Sequence, residues 1–213
     1  MGLGFRAARR LAFAFASSGI LSLGAARGAE PLADWPCDAP QVDQLTAEMI
    51  WPGPVPQPMP KSGAWSKNRK ARETVEFASN PENPPAAGSE AIRALAKSAG
   101  AARRASLLLV FSGLLERTNL YRGILLDGVR DQVVRSKVIA ETVTQQDRDL
   151  AAASGEDQAS VAAARFRNNR SLKETGDESE LICHRYAYSE RKLRSLTAAI
   201  VEAIGAPRPA ARN

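Results

Sequence analysis

From Ser89 to the end of the chain, apolar residues return every three or four positions, the spacing that places them on one face of a helix. Ser89 caps a first predicted helix with Ile92, Leu95 and Ala99 on one face, and Gly100 ends or kinks it. Ala101 to Arg117 carries Leu107, Val110, Phe111, Leu114 and Leu115, a run too short to span a membrane and read as a buried helix. A turn is expected near Thr118-Asn119. The longest predicted helix then runs from Leu120 to Ala153. Its Leu126, Val129, Val133, Ser136, Ala140 and Val143 form the seam of an antiparallel bundle or short coiled coil. Ser154-Gly155-Glu156-Asp157 has the form of a capping box and opens a fourth helix, to Thr175. Gly176 is expected to stop it, and Asp177 with Glu180 to start a fifth. That helix carries the stripe Ile182, Tyr186, Leu193, Leu196, Ile200 and Ile204, closed by Gly205 and Pro207. These patterns leave no room for a sheet core. The expected fold class is all-α, an antiparallel bundle of four to five helices.

Ahead of Ser89 the helical rhythm is missing, and proline explains why. Eleven of the 13 prolines fall between Pro31 and Pro85, and none occurs from Ala86 to Ala206. Each ring removes a backbone donor and clashes with the preceding helical turn. The stretch Trp51 to Pro60 (WPGPVPQPMP) favours an extended polyproline path. All three tryptophans, Trp35, Trp51 and Trp65, share this region, which marks it as an ordered arm lying on apolar surface rather than a free linker. One short helix, Val42 to Ile50, interrupts it. Residues 29–88 are accordingly read as a Pro/Trp-rich irregular arm packed on the bundle, 89–206 as the helical bundle and 207–213 as a disordered tail.

The first 28 residues are read as an address. Arg6, Arg9 and Arg10 precede the uncharged run Leu11 to Ala26, and small residues at Ala26 and Gly28 fit cleavage near Gly28-Ala29. Arg9-Arg10 also permits a twin-arginine signal, although the flanking residues match it poorly. An uncleaved membrane anchor is the alternative. Export to the periplasm or the exterior makes a structural disulfide the natural use of the two cysteines, Cys37 and Cys183. Such a bond fastens the arm to the last helix.

Composition adds mostly exclusions. One His and two Cys are too few for a conventional zinc site, and neither a phosphate loop, a dinucleotide fingerprint nor a Gly-x-Ser-x-Gly turn occurs, so no metal or cofactor is expected. Glu116, Asp127 and Asp131 are the carboxylates best placed for acid–base hydrolysis of an envelope glycan or peptide, with a salt-bridged solvated face as the competing reading. Lys67, Arg69, Lys70 and Arg72 form one basic cluster, and Arg191, Lys192 and Arg194 another, suited to phosphates or anionic headgroups. The whole chain has a formal charge of +6, but residues 1–28 carry four arginines and no acid, which leaves 25 basic against 23 acidic groups. Of these, residues 29–88 hold 5 and 8, and residues 89–213 hold 20 and 15. A mildly acidic arm on a basic bundle replaces the nucleic-acid signal, and no nucleic-acid partner is expected.

Trp35-Pro36-Cys37 followed by Ile50-Trp51-Pro52-Gly53-Pro54 resembles the start of functionally uncharacterised exported proteins of Gram-negative bacteria. The resemblance implies a periplasmic setting and carries no activity or catalytic residue. The leading expectation is a non-enzymatic helical protein that binds or supports another exported or envelope protein, with Trp35, Trp51, Trp65 and the Lys67–Arg72 cluster as the surface. A carboxylate hydrolase and an anionic-lipid or polyanion binder are the alternatives.

Overall fold

The computed structural model describes residues 32–205. The expected signal segment, its cleavage site and the tail at 207–213 lie outside the described residues. Among those described, the chain is all-α with no strand. The helices are α1 (Ala47–Ile50), α2 (Arg69–Ser79), α3 (Pro85–Ser98), α4 (Arg103–Ala152) and α5 (Gly155–Ile204), with 3-10 turns at Ala64–Lys67 and Gly100–Ala102.

Helices α4 and α5 have 50 residues each, about 75 Å of helix apiece. They are joined antiparallel through Ala153-Ser154 alone, and Gly155 takes the left-handed conformation (φ +61°) that reverses the chain. Ser154 is the N-cap, but its side chain makes no capping bond. No helix of the described residues is long and apolar enough to cross a membrane.

Neither expected interruption of these helices occurs. The Thr118-Asn119 turn is absent because the stripe continues through it, and Asn119 uses its amide sideways instead, donating to Leu45 O and accepting from Leu45 N, both at 2.9 Å. Gly176 does not stop α5. A Cβ there would meet nothing within 4 Å, so its cost is only the ~1 kcal/mol propensity deficit of glycine. Against it stands an unbroken seam, Leu172, Thr175, Ser179, Ile182 and Tyr186, every member at least half-buried. On α4 the facing positions are Leu125, Val129, Gln132, Ser136, Ile139, Val143, Gln146 and Leu150, alternating by four and three. That 3.5-residue period makes a left-handed coiled coil. Ala140, expected in the seam, is exposed.

The pair has two unlike ends. At the closed end α2, α3 and the arm enclose the first part of α4 and the last part of α5, burying Val75, Ile92, Val110, Phe111, Leu114, Leu193, Leu196 and Ile200. This is a four-helix head. Helix α2 lies inside the segment expected to be irregular, capped by Asn68, whose Oδ1 accepts from Ala71 N at 3.0 Å. Helix α3 starts with Pro85 at its first turn, four residues before the expected Ser89 cap; proline is tolerated there because that N–H has no helical partner anyway. At the other end the two helices run on alone. No side chain between Arg130 and Glu174 is buried, and the seam includes a polar Gln146–Asn168 bond at 3.1 Å. This is a stalk. Gly205 ends α5 in the left-handed conformation, as expected.

Candidate functional site

The arm is held by a row of polar side chains on α4 and α5. Glu116 accepts from the Gly63 amide at 3.0 and 3.2 Å, from Trp65 Nε1 at 2.9 Å and from Ser112 Oγ at 3.2 Å. One helical turn later, Asn119 grips Leu45. One turn further Arg122, with a fully buried side chain, donates to Val42 O at 3.2 Å and Tyr186 O at 3.3 Å. Its guanidinium lies 3.8 Å from the centre of the Tyr186 ring, and Glu190 is 3.9 Å away. Burial lowers the Arg122 pKa, while Tyr186 and Glu190 act in the opposite direction. The Tyr186 hydroxyl accepts from Val42 N at 2.9 Å and donates to Val42 O at 2.8 Å. Residues 116, 119 and 122 thus form a ladder on one helix face.

The tryptophans face inward. Trp51 is 5% exposed and meets Phe111 edge-on with ring centres 4.9 Å apart. Trp35 packs edge-on against Tyr186 at 5.5 Å. Trp65 lies over Gly113, where a Cβ would come within 2.7 Å of its ring. As the candidate docking surface, Trp51 is therefore corrected to a core residue: the apolar surface that the arm needed is the bundle itself. Trp35 and Trp65 are half-buried in the same way. Cys37 and Cys183 form a disulfide, with Cα atoms 5.2 Å apart, that ties the start of the arm to α5. The charge difference between arm and bundle contributes little. Asp34–Lys137 is an arm–bundle ion pair, but both side chains are about 60% exposed, where such pairs are worth ~1 kcal/mol or less.

Two of the three candidate carboxylates share a hollow, and both are engaged by neighbouring donors. Glu116 and Asp127 border one open hollow of about 580 Å³ with Asp43, and Asp131 is not part of its lining. Both Glu116 oxygens are engaged by donors, and Asp127, 74% exposed, pairs with Arg130 at 2.9 Å. A general acid needs an oxygen free to carry the proton to substrate. The basic clusters are also divided. Arg69 pairs with Glu73 and Arg194 with Glu190, and Arg72 reaches Ser66 O at 3.4 Å. Lys67 and Lys70 are exposed. Lys192 points inward, donating to Asn80 O and to Asn83 O at 2.8 Å across the α2–α3 turn, and burial lowers its pKa. Lys70 borders a hollow between α2 and α3, whereas Arg191 borders one beside the disulfide.

Two features escaped the sequence reading. Arg122 occupies a seam position of α4, so a charge on an otherwise apolar stripe was the available signal. The second is a stripe on the back of α4, away from α5. In the head it holds Val110 and Gly113, covered by α2 and Trp65; past the exposed Arg117 it continues, by fours and threes, as Leu120, Ile124 and Asp127 beside the arm and then as Asp131, Val134 and Val138 on the stalk. Its four apolar members there are 58–63% exposed. Comparison with protein-family models, with curated proteins and with solved structures gave no match for this chain.

Proposed function

We propose that the protein is an exported, periplasmic, non-enzymatic binding protein whose stalk receives an amphipathic helix of another exported or envelope protein. The observation that carries this reading is the α4 back stripe, which resumes beyond the exposed Arg117. The face that α2 and Trp65 cover in the head runs on uncovered as Leu120, Ile124, Val134 and Val138. A helix laid there would extend the packing that α2 begins, with apolar residues at 3–4 spacing and basic residues opposite Asp127 and Asp131. The paired cysteines and the arginine-led N-terminal pattern support an oxidising, exported setting.

The test places a photoreactive side chain at Val134 or Val138 of the full chain in the periplasm, with Arg167 on α5 as the control position. The expected result is an adduct specific to the α4 positions. Its cross-linked peptide should come from another exported protein and show apolar residues at 3–4 spacing. No adduct at either position, or an adduct of two copies of this chain, overturns the proposal.

A further inference from the structure

We propose that the cleft between the α2–α3 turn and the α4–α5 pair binds a small organic anion with an apolar or aromatic body. The cleft is separate from the stalk stripe and has a volume of about 460 Å³, within the range of small-molecule sites. Its walls are Asn80, Pro81 and Glu82 on the turn, Arg117 and Tyr121 on α4, and Arg185, Tyr188 and Lys192 on α5, over a floor of Leu193 and Leu196.

Three arguments lead from these residues to an anion. Arg117, Arg185 and Lys192 face a single acid, Glu82, so the lining carries a positive excess. Both arginines of this lining, Arg117 and Arg185, have neither an ion pair nor a side-chain hydrogen bond among the described residues. Their guanidinium forks are therefore unspent, and such forks suit carboxylate and phosphate oxygens. Lys192 is fixed by two carbonyls of the turn, which keeps a buried cation at the back of the cleft without an acid to neutralise it.

The body of the ligand follows from the order of residues along the cleft. Arg117 and Tyr121 are one turn apart on α4, and Arg185, Tyr188 and Lys192 follow at one-turn steps on α5. In the antiparallel pair, Tyr121 stands level with Tyr188, and Arg117 with Lys192. Two half-buried phenol rings thus sit between cations at either end, and neither hydroxyl has a partner among the described residues. An aromatic or short alkyl group fits between the rings and above Leu193 and Leu196, with its anionic group on an arginine. A soluble acid and a lipid headgroup share this chemistry.

The experiment titrates the full chain by calorimetry with phenyl phosphate and with inorganic phosphate, and by flotation with phosphatidylglycerol vesicles. Saturable one-to-one binding of phenyl phosphate, tighter than that of inorganic phosphate, supports the proposal with a soluble ligand as source. In that case Arg117→Gln with Arg185→Gln weakens binding by about tenfold or more. Vesicle binding that the same double variant loses, without binding of the soluble probes, supports it with a headgroup as source. Tyr188→Leu is expected to remove the preference for phenyl phosphate; retention of the preference overturns the aromatic part. The arginines are exposed, and an unchanged melting temperature confirms that the variants fold. No saturable binding of any probe, or binding unchanged in the double variant, overturns the site.

Discussion

Replacing Glu116 by alanine separates an anchor from a catalytic acid. In the parent protein one carboxylate collects the Gly63 amide, the Trp65 indole N–H and the Ser112 hydroxyl. A hydrogen bond to a charged group contributes about 1.5–3 kcal/mol, and a buried donor left without an acceptor costs about 1–3 kcal/mol. Gly63 and Trp65 are half-buried, so water replaces part of what is lost, and the expected destabilisation of Glu116→Ala is about 2–4 kcal/mol. Glu116→Gln keeps one acceptor oxygen and is expected to lose roughly half of that. Urea unfolding followed by circular dichroism measures the loss, and tryptophan emission reports whether Trp65 leaves its seat over Gly113. A double-mutant cycle with Trp65→Phe isolates the indole bond, for which a coupling of about 1 kcal/mol or more is expected. A Glu116→Ala protein within about 0.5 kcal/mol of the parent refutes the anchor and returns Glu116 to the acids available for chemistry.

Serine at both Cys37 and Cys183, which lie 146 residues apart, is expected to lower unfolding free energy by up to about 5 kcal/mol on the loop-closure relation; an unchanged urea midpoint would contradict it. Gly176→Ala and Gly123→Ala, where an added Cβ meets nothing within 4 Å, are each expected to raise stability by up to ~1 kcal/mol, seen as a higher melting temperature. Gly113→Ala is expected to act oppositely, because the methyl would come within 2.7 Å of both Trp65 and Val75. Lys192 has a folded pKa lowered by burial, so between that value and the ordinary lysine value of about 10.4 the unfolded chain holds more protons than the native one. The stability of the parent relative to Lys192→Met should therefore rise as pH climbs toward the ordinary lysine value, read as a growing difference in melting temperature along that approach.

The long-range order of the chain was visible in its sequence, and the local punctuation misled. The α5 stripe and the glycine that ends it follow from spacing alone; of the expected α4 seam, Val129, Ser136 and Val143 hold facing positions, whereas Leu126, Val133 and Ala140 stand one place past them. Thr118-Asn119 and Gly176 resemble breaks because their local helix propensities are poor, but each deficit is at most ~1 kcal/mol. Seam residues on both sides, Leu125 and Leu126 after the first and Leu172 and Ile182 around the second, gain more by staying in register. Helix α2 was hidden by the prolines around it, although Asn68 and the Ala71, Val75, Ala78 spacing marked it. The ladder that holds the arm joins positions 51 to 144 residues apart, and no local pattern carries such pairings. The cleft has the same character: Arg117 and Arg185 line one cleft only because α4 and α5 fold back on each other.

The tight Ala153-Ser154 reversal makes the length of this hairpin a graduated quantity. Removing seven residues from α4 and the seven that face them on α5 returns every remaining side chain to its former azimuth, about 10.5 Å nearer the head. A cut that is not a whole number of heptads turns one limb relative to its neighbour and sets polar surface against the seam. Whatever the tip reaches, its distance from the head is measured in whole heptads. Such trimming leaves the disulfide, the arm and the cleft untouched.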